Sequence, residues 1–405
     1  MHIEIVAIGD EVLAGQVVNS NAAYLSDFLH TAGYEISRHT VLSDDYQALL
    51  QGLQEVLDRS DVIVVTGGLG PTFDDVTKKA VCQLFNDKLV EKDSVLASIE
   101  SRYKKCKENE ALAHVPSQAT LLDNEVGTAP GFAFTKDHKL IIFLPGVPNE
   151  MKVMWVKAAW PLIEKKLKKT TKRIVYTLHF CLLSEIELLP AMQDIKKQFP
   201  IIKMGIYPAY SHVTVRLSAP VDEVEHLTKM KQAIERKYKQ YILPDDCYSV
   251  AGAFHDQATK KGIKVAFAES CSGGYLASLI THIPGSSAYF LGSIVAYDNE
   301  VKEKVLRVDN KLIQKYGTVS TQVVEAMLKG IFQITKADYA IAISGIAGPT
   351  GGSKEKPVGT VCIGIAKKDG KILAKQLHFP GNRSAIIEMA SNFALASLWQ
   401  WLKEI

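Results

Sequence analysis

"DVIVVTGGLGPTFDDVTK" (residues 61–78) opens with an unbroken apolar run and then meets glycines at 67, 68 and 70. A strand with one wet face alternates polar and apolar residues, so a continuous run indicates burial on both faces, as in a parallel sheet covered by helices. The glycines end the strand, and the residues after them open a helix. A buried strand, a glycine loop and a helix together make half of a βαβ unit.

The same rhythm extends in both directions. "IEIVAIG" (3–9) reads as a buried strand, and "YEISRHTVL" (34–42) and "KLIIFLPG" (139–146) as further strands. "NSNAAYLSDFLHTAG" (19–33) and "YQALLQGLQEVLDRS" (46–60) read as amphipathic helices. "PNEMKVMWVKAAWPLIEKKL" (148–167) reads as a helix with Pro148 in its first turn. A three-layer α/β domain built on a parallel sheet is therefore expected over residues 1–168. From 169 to 246 strands and helices mix without this alternation, which suggests a small α+β module. From 249 to 405 a second α/β domain is expected, with strands at "IKVAFAES" (263–270), "GSIVAYDN" (292–299) and "DYAIAIS" (338–344), a hairpin, and a long closing helix.

A chain of 405 residues with 47% apolar and 22% charged residues suits two or three globular domains. Its 47 basic and 44 acidic residues give a net +3 without a basic stripe interleaved with aromatics, which argues against nucleic acid as the main partner. Six scattered cysteines with no CxxC pair fit a reducing compartment. There is no signal-peptide pattern and no run of 18 apolar residues, so a cytoplasmic protein with no membrane association is expected.

Chemistry is sought at the carboxyl ends of the strands, where open α/β sheets bind ligands. At the first such edge, Gly67, Gly68 and Gly70 let the backbone approach an anion closely, and the helix start favours phosphate. Asp74 and Asp75 would repel a bare phosphate, so they suggest a divalent cation, magnesium or similar, bridging carboxylate and phosphate; the alternative is a tight turn with an aspartate cap. Asp10 lies on the same edge, after the first strand. In the C-terminal domain, Ser270 ends a strand and precedes Gly273 and Gly274, a geometry for a nucleophile beside backbone donors or simply for a capped helix. Tyr297 ends the next strand and Lys302 lies in the helix after it; a buried lysine of lowered pKa can deprotonate a serine, and a tyrosine can relay the proton or bind substrate. The loop "SGIAGPTGGS" (344–353), with Gly345 and Gly348, suits a phosphate or an oxyanion. Arg383, at a helix start, either binds phosphate or is a plain surface arginine.

Together these stretches resemble the CinA family, the competence/damage-inducible group. "GDEVLAGQVVNSNAAYL", "TGGLGPTFDDVTK", "GTAPGF" and "LPGVPNEMKVMW" are similar to its N-terminal domain, which is related to molybdopterin-binding domains. "AESCSGGYLASLIT", "GSSAYFLGSIVAYDNEVK", "AISGIAGPTGGSKEKPVGTV" and "FPGNRSA" are similar to its C-terminal domain. The resemblance implies a nicotinamide-nucleotide amidase in the C-terminal domain, converting nicotinamide mononucleotide to nicotinic acid mononucleotide and ammonia without a cofactor. It implies Ser270 as nucleophile with Tyr297, Lys302 and Arg383 in the site. For the N-terminal domain it implies a metal-dependent ADP-ribose diphosphatase or a pterin-binding module, with Asp75 at the metal and Asp74 as the CinA-type addition. A homodimer is implied as well. A non-catalytic role in DNA uptake or repair, as the family name suggests, is the competing expectation.

Two stretches depart from the family's pattern. Ala111 and Leu112 stand where a basic residue and a glutamine are usual, and "FCLLSEIEL" (180–188) stands where a Gly-x-Gly-Glu-Ser turn is usual. Loss of those polar groups would weaken the diphosphatase and leave the amidase untouched.

Overall fold

The computed structural model describes residues 1–72, 75–104, 107–167 and 170–404. It divides into two compact units, Met1–Ile174 with Pro220–Asp222, and Val175–Ala219 with Glu223–Ile405.

The first unit is built on a six-stranded sheet. Four strands, Arg38–Leu42, Ile3–Ile8, Val62–Thr66 and Lys139–Leu144, are adjacent in that order and parallel. Ile3–Ile8 and Val62–Thr66 are buried at every position, as their largely apolar runs require; Glu4, the one charge in them, pairs with Arg59. Alternate residues feed two cores: Val6, Ile63 and Val65 pack with Leu49, Leu53 and Val56, while Ile5, Val62 and Val64 pack with Leu25, Leu29 and Trp155. The far side of this sheet is not parallel. Gly131–Lys136 runs antiparallel to Lys139–Leu144, and Thr120–Leu122 antiparallel to it in turn.

The helix expected from Pro148 runs to Lys166, with a wider turn over Trp155–Ala159 in which the Trp160 amide reaches back to the Trp155 carbonyl. Pro161 has no N–H to donate and its ring would crowd the carbonyl a turn before, so a locally widened turn accommodates it.

In the second unit, Lys203–Pro208, Val213–Pro220 and Arg173–Phe180 form a three-stranded sheet, the last two strands beginning or ending across the unit boundary. The larger sheet has five strands in the order Phe290–Val295, Val265–Glu269, Tyr339–Gly345, Thr360–Lys367, Ile372–His378. The first three are parallel, and the last two add antiparallel. One face carries the helices Val250–Lys261 and Arg383–Lys403 over Phe267, Ile341 and Ile363; Thr321–Ile334 covers the other over Ala266, Ala340 and Ala342. Three parallel strands thus release their chains at one edge, where Gly345 ends its strand and Ser270 and Tyr297 follow theirs. Among the described residues no helix is long and apolar enough to cross a membrane.

Candidate active site

The central strand Val265–Glu269 is flanked on both sides, so its end is held firmly. The Ser270 amide continues the ladder to the Ile343 carbonyl at 2.9 Å. Next door, Asp298 caps the helix Asn299–Lys304 by accepting from the Glu300 amide at 2.7 Å. That helix places Lys302, fully buried, against the strand end. Lys302 Nζ lies 3.1 Å from Ser270 Oγ, 2.7 Å from the Ala296 carbonyl and 3.1 Å from the Tyr297 carbonyl. Burial pushes its pKa below the usual lysine value, and the charge of Asp298 restores only part of the difference.

Cys271, the neighbour, has the opposite surroundings. It is buried, and burial pushes its thiol up to about 12. A thiol that holds its proton is a poor nucleophile.

Tyr297 meets the pair through its backbone only. Its hydroxyl accepts from Arg383 Nη2 at 2.6 Å, and Arg383 Nη1 donates to the Gly348 carbonyl at 2.7 Å. Arg383 therefore clamps the tyrosine to the glycine loop. Gly345 has a packing reason of its own: a Cβ there would lie 2.9 Å from Cys271 Sγ and 2.7 Å from a Val361 methyl.

Gly273 and Gly274 both take positive φ, 59° and 96°, which the chain needs to turn from strand to helix. They line a cleft of about 480 Å³ with Ser272, Tyr275, Ser278 and Glu388. The helix amides beyond them are not open to a ligand, as sequence reasoning had them. Gly274, Leu276 and Ala277 donate to the carboxylate of Glu269, and the Gly273 amide to the Ser270 carbonyl. Among the described residues the Ser272 amide donates to no backbone carbonyl, and the Cys271 amide lies against its own sulfur. Glu269 escaped sequence reasoning, although a lone acid at the end of "VAFAE", an otherwise apolar strand, is a signal.

At the edge of the first unit, the glycines are pressed against the first strand and the following helix. A Cβ on Gly67 would lie 2.3 Å from the Ile8 carbonyl, on Gly68 2.0 Å from Thr77 Oγ1, and on Gly70 2.5 Å from Asp75 Oδ2. Asp75 accepts from the Thr72 amide at 3.0 Å and from the Thr72 hydroxyl. Asp10 accepts from Ser43 Oγ at 2.7 Å and its amide faces Asp44, whose pKa rises through burial and the nearby Asp10 charge. Asp74 lies outside the described residues. Among the described residues no group of three or more His, Cys, Asp or Glu is placed to hold a metal ion, so Asp10 and Asp75 do not form such a site by themselves. Sequence reasoning missed Lys78, 6% exposed, whose Nζ donates to the Leu112 carbonyl at 3.1 Å and whose pKa burial pushes down to about 8. It also missed Asn21 Oδ1 and Thr77 Oγ1, both buried without a partner.

Fold and site define a two-part α/β protein: a helix-covered parallel sheet with a glycine-loop edge, and a second mixed sheet whose edge carries a serine against a buried lysine. Residues 4–165 match the family described as "Probable molybdopterin binding domain", and residues 248–402 match the CinA C-terminal domain. A competence-damage inducible protein of Halothermothrix orenii is 34% identical, the match covering 100% of this chain and 99% of that one. A CinA-like protein of Geotalea uraniireducens is also 34% identical, over 100% of this chain and 97% of the other. Among solved structures, the competence/damage inducible protein CihA of Agrobacterium tumefaciens is 35% identical over 38% of this chain and 95% of its own, with a TM-score of 0.37. The chain belongs to the CinA family.

Proposed function

We propose that the chain is a hydrolase that opens a carboxamide by serine–lysine catalysis, acting on nicotinamide mononucleotide to give nicotinic acid mononucleotide and ammonia. The observation that carries this reading is the 3.1 Å contact between Lys302 Nζ and Ser270 Oγ at a fully buried position. A neutral amine has two N–H groups and one lone pair. The carbonyls of Ala296 and Tyr297 take the two donors, and the lone pair then meets the serine hydroxyl.

Ser270 Oγ attacks the carboxamide carbon and passes its proton to Lys302. The amides of Cys271 and Ser272, the backbone donors next to Ser270, would receive the resulting oxyanion. Lys302 returns the proton to the leaving nitrogen as the C–N bond breaks, releasing ammonia and an ester on Ser270. Water attacks that ester, Lys302 takes the water's proton and returns it to Ser270, and the acid leaves. Arg383 keeps N–H donors beyond those spent on Gly348 and Tyr297, and a nucleotide phosphate suits them.

A second activity, metal-dependent cleavage of ADP-ribose, is proposed for the first unit. The buried, unpartnered Thr77 Oγ1 beneath Gly68, and Asn21 Oδ1, whose side-chain amide donates to the Gly146 carbonyl, favour it, since polar atoms without partners are expensive to bury and a ligand would satisfy them.

Purified protein is incubated with nicotinamide mononucleotide and, separately, with ADP-ribose and Mg²⁺, following ammonia and AMP. Ammonia release is the expected result of the first arm and AMP release that of the second. An arm without its product removes the activity proposed for that unit.

A further inference from the structure

Glu269 is fully buried at the last position of the strand that delivers Ser270. Its carboxylate accepts four hydrogen bonds from neutral groups: the amides of Gly274 (3.1 Å), Leu276 (3.0 Å) and Ala277 (3.0 Å), and Ser293 Oγ (2.8 Å). Its backbone carbonyl accepts from the Ala296 amide at 2.7 Å, and the Ala296 carbonyl in turn receives Lys302 Nζ at 2.7 Å. One residue therefore joins the strand end bearing Ser270, the first turn of the helix Tyr275–Thr281, the strand Phe290–Val295 and the carbonyl that anchors the amine.

Burying a carboxylate costs several kcal/mol unless hydrogen bonds repay it, and helix amides are capped more cheaply by a surface Ser or Asp. The left-handed Gly273 and Gly274 fold the chain back so that the amides converge on Glu269 instead. We infer that Glu269 is the positioning residue of this site. It sets the Ser270 turn against Lys302 and, by occupying the helix amides, leaves those of Cys271 and Ser272 for the oxyanion. The inference rests on the serine–lysine reading above.

The test uses the full chain. Glu269→Gln keeps the size and one acceptor oxygen but turns an NH₂ against amide donors. Because small misplacements of reacting groups are costly, kcat for ammonia release is expected to fall about 100-fold while KM stays within about twofold. Labelling of Ser270 by a fluorophosphonate should slow in parallel; in that reaction Ser270 Oγ bonds to phosphorus, fluoride leaves and Lys302 takes the proton. If Glu269→Gln does not fold, Ser293→Ala removes one of the four bonds and is expected to lower kcat and labelling about tenfold, the worth of one hydrogen bond to a charged group, with KM unchanged.

A folded Glu269→Gln with wild-type kcat and labelling overturns the inference, as does a loss that lies wholly in KM. So does wild-type labelling in Ser293→Ala when Glu269→Gln is unfolded. Should the wild type label at Ser270 yet release no ammonia, the substrate reading fails while the labelling rates still decide the role of Glu269. A wild type that does not label at Ser270 overturns the nucleophile assignment and this inference with it.

Discussion

Lys302 can serve as a base only without its charge. Burial disfavours the ammonium and lowers its pKa. In the acid range the ammonium has no lone pair, so turnover should rise with pH through the Lys302 pKa and level off above it. Lys302→Arg keeps a positive charge that cannot be shed. It should therefore be as inactive as Lys302→Ala, about 10³-fold or more below wild type, at every pH of the rate profile. A near-normal arginine variant would assign Lys302 to binding. The same lowered pKa links to stability: between Lys302's folded value and the ordinary 10.5, the unfolded chain holds more protons, so folding gains as pH rises through that window. Ser270 and Cys271 were legible because they sit at the junction of a strand and a helix, and Lys302 because it lies in the short helix after the next strand; such junctions show in periodicity. The hydroxyl of Tyr297 was not, since its partner Arg383 stands 86 residues away.

Elements were read more completely than their joints. The buried parallel strands showed as apolar runs, whereas the strand Gly131–Lys136 did not stand out from turn-like glycines and prolines before it. It pairs with Lys139–Leu144 through Asp137 and His138, whose φ angles are 48° and 63°. A two-residue hairpin turn wants positive φ at both positions and is usually announced by Asn-Gly or Asp-Gly. Here an exposed histidine holds the second position, so the turn is both hidden in the sequence and strained. His138→Gly should stabilise the fold by about 0.5–1 kcal/mol, the usual gain when a side chain leaves the left-handed region. Chemical denaturation of the full chain measures it, and an unchanged or lower midpoint would show that the turn holds no such strain. Pro161 gives a parallel case: the helix was legible, its widened turn was not, because a proline forecasts a break without saying how neighbouring turns absorb it.

At the scale of the whole molecule, one rule supplies both candidate sites. Parallel strands end together, and the loops after them collect glycines and polar side chains at a single edge. The first unit does so with Gly67–Gly70 and Asp75, the second with Ser270, Lys302 and Arg383, each on its own sheet. The two candidate sites stand on separate sheets, and sites without shared partners usually act additively, so a change at Asp75 should leave the proposed ammonia release unaltered. The most direct test of the account is to quench the full chain with acid during turnover of nicotinamide mononucleotide and locate any covalent adduct by peptide mass. Wild type and Asp75→Asn should both carry the nucleotide acyl group on Ser270, Cys271→Ala should carry it too, and Ser270→Ala should carry none and release no ammonia. An adduct on Cys271, or undiminished ammonia release from Ser270→Ala, would contradict the account.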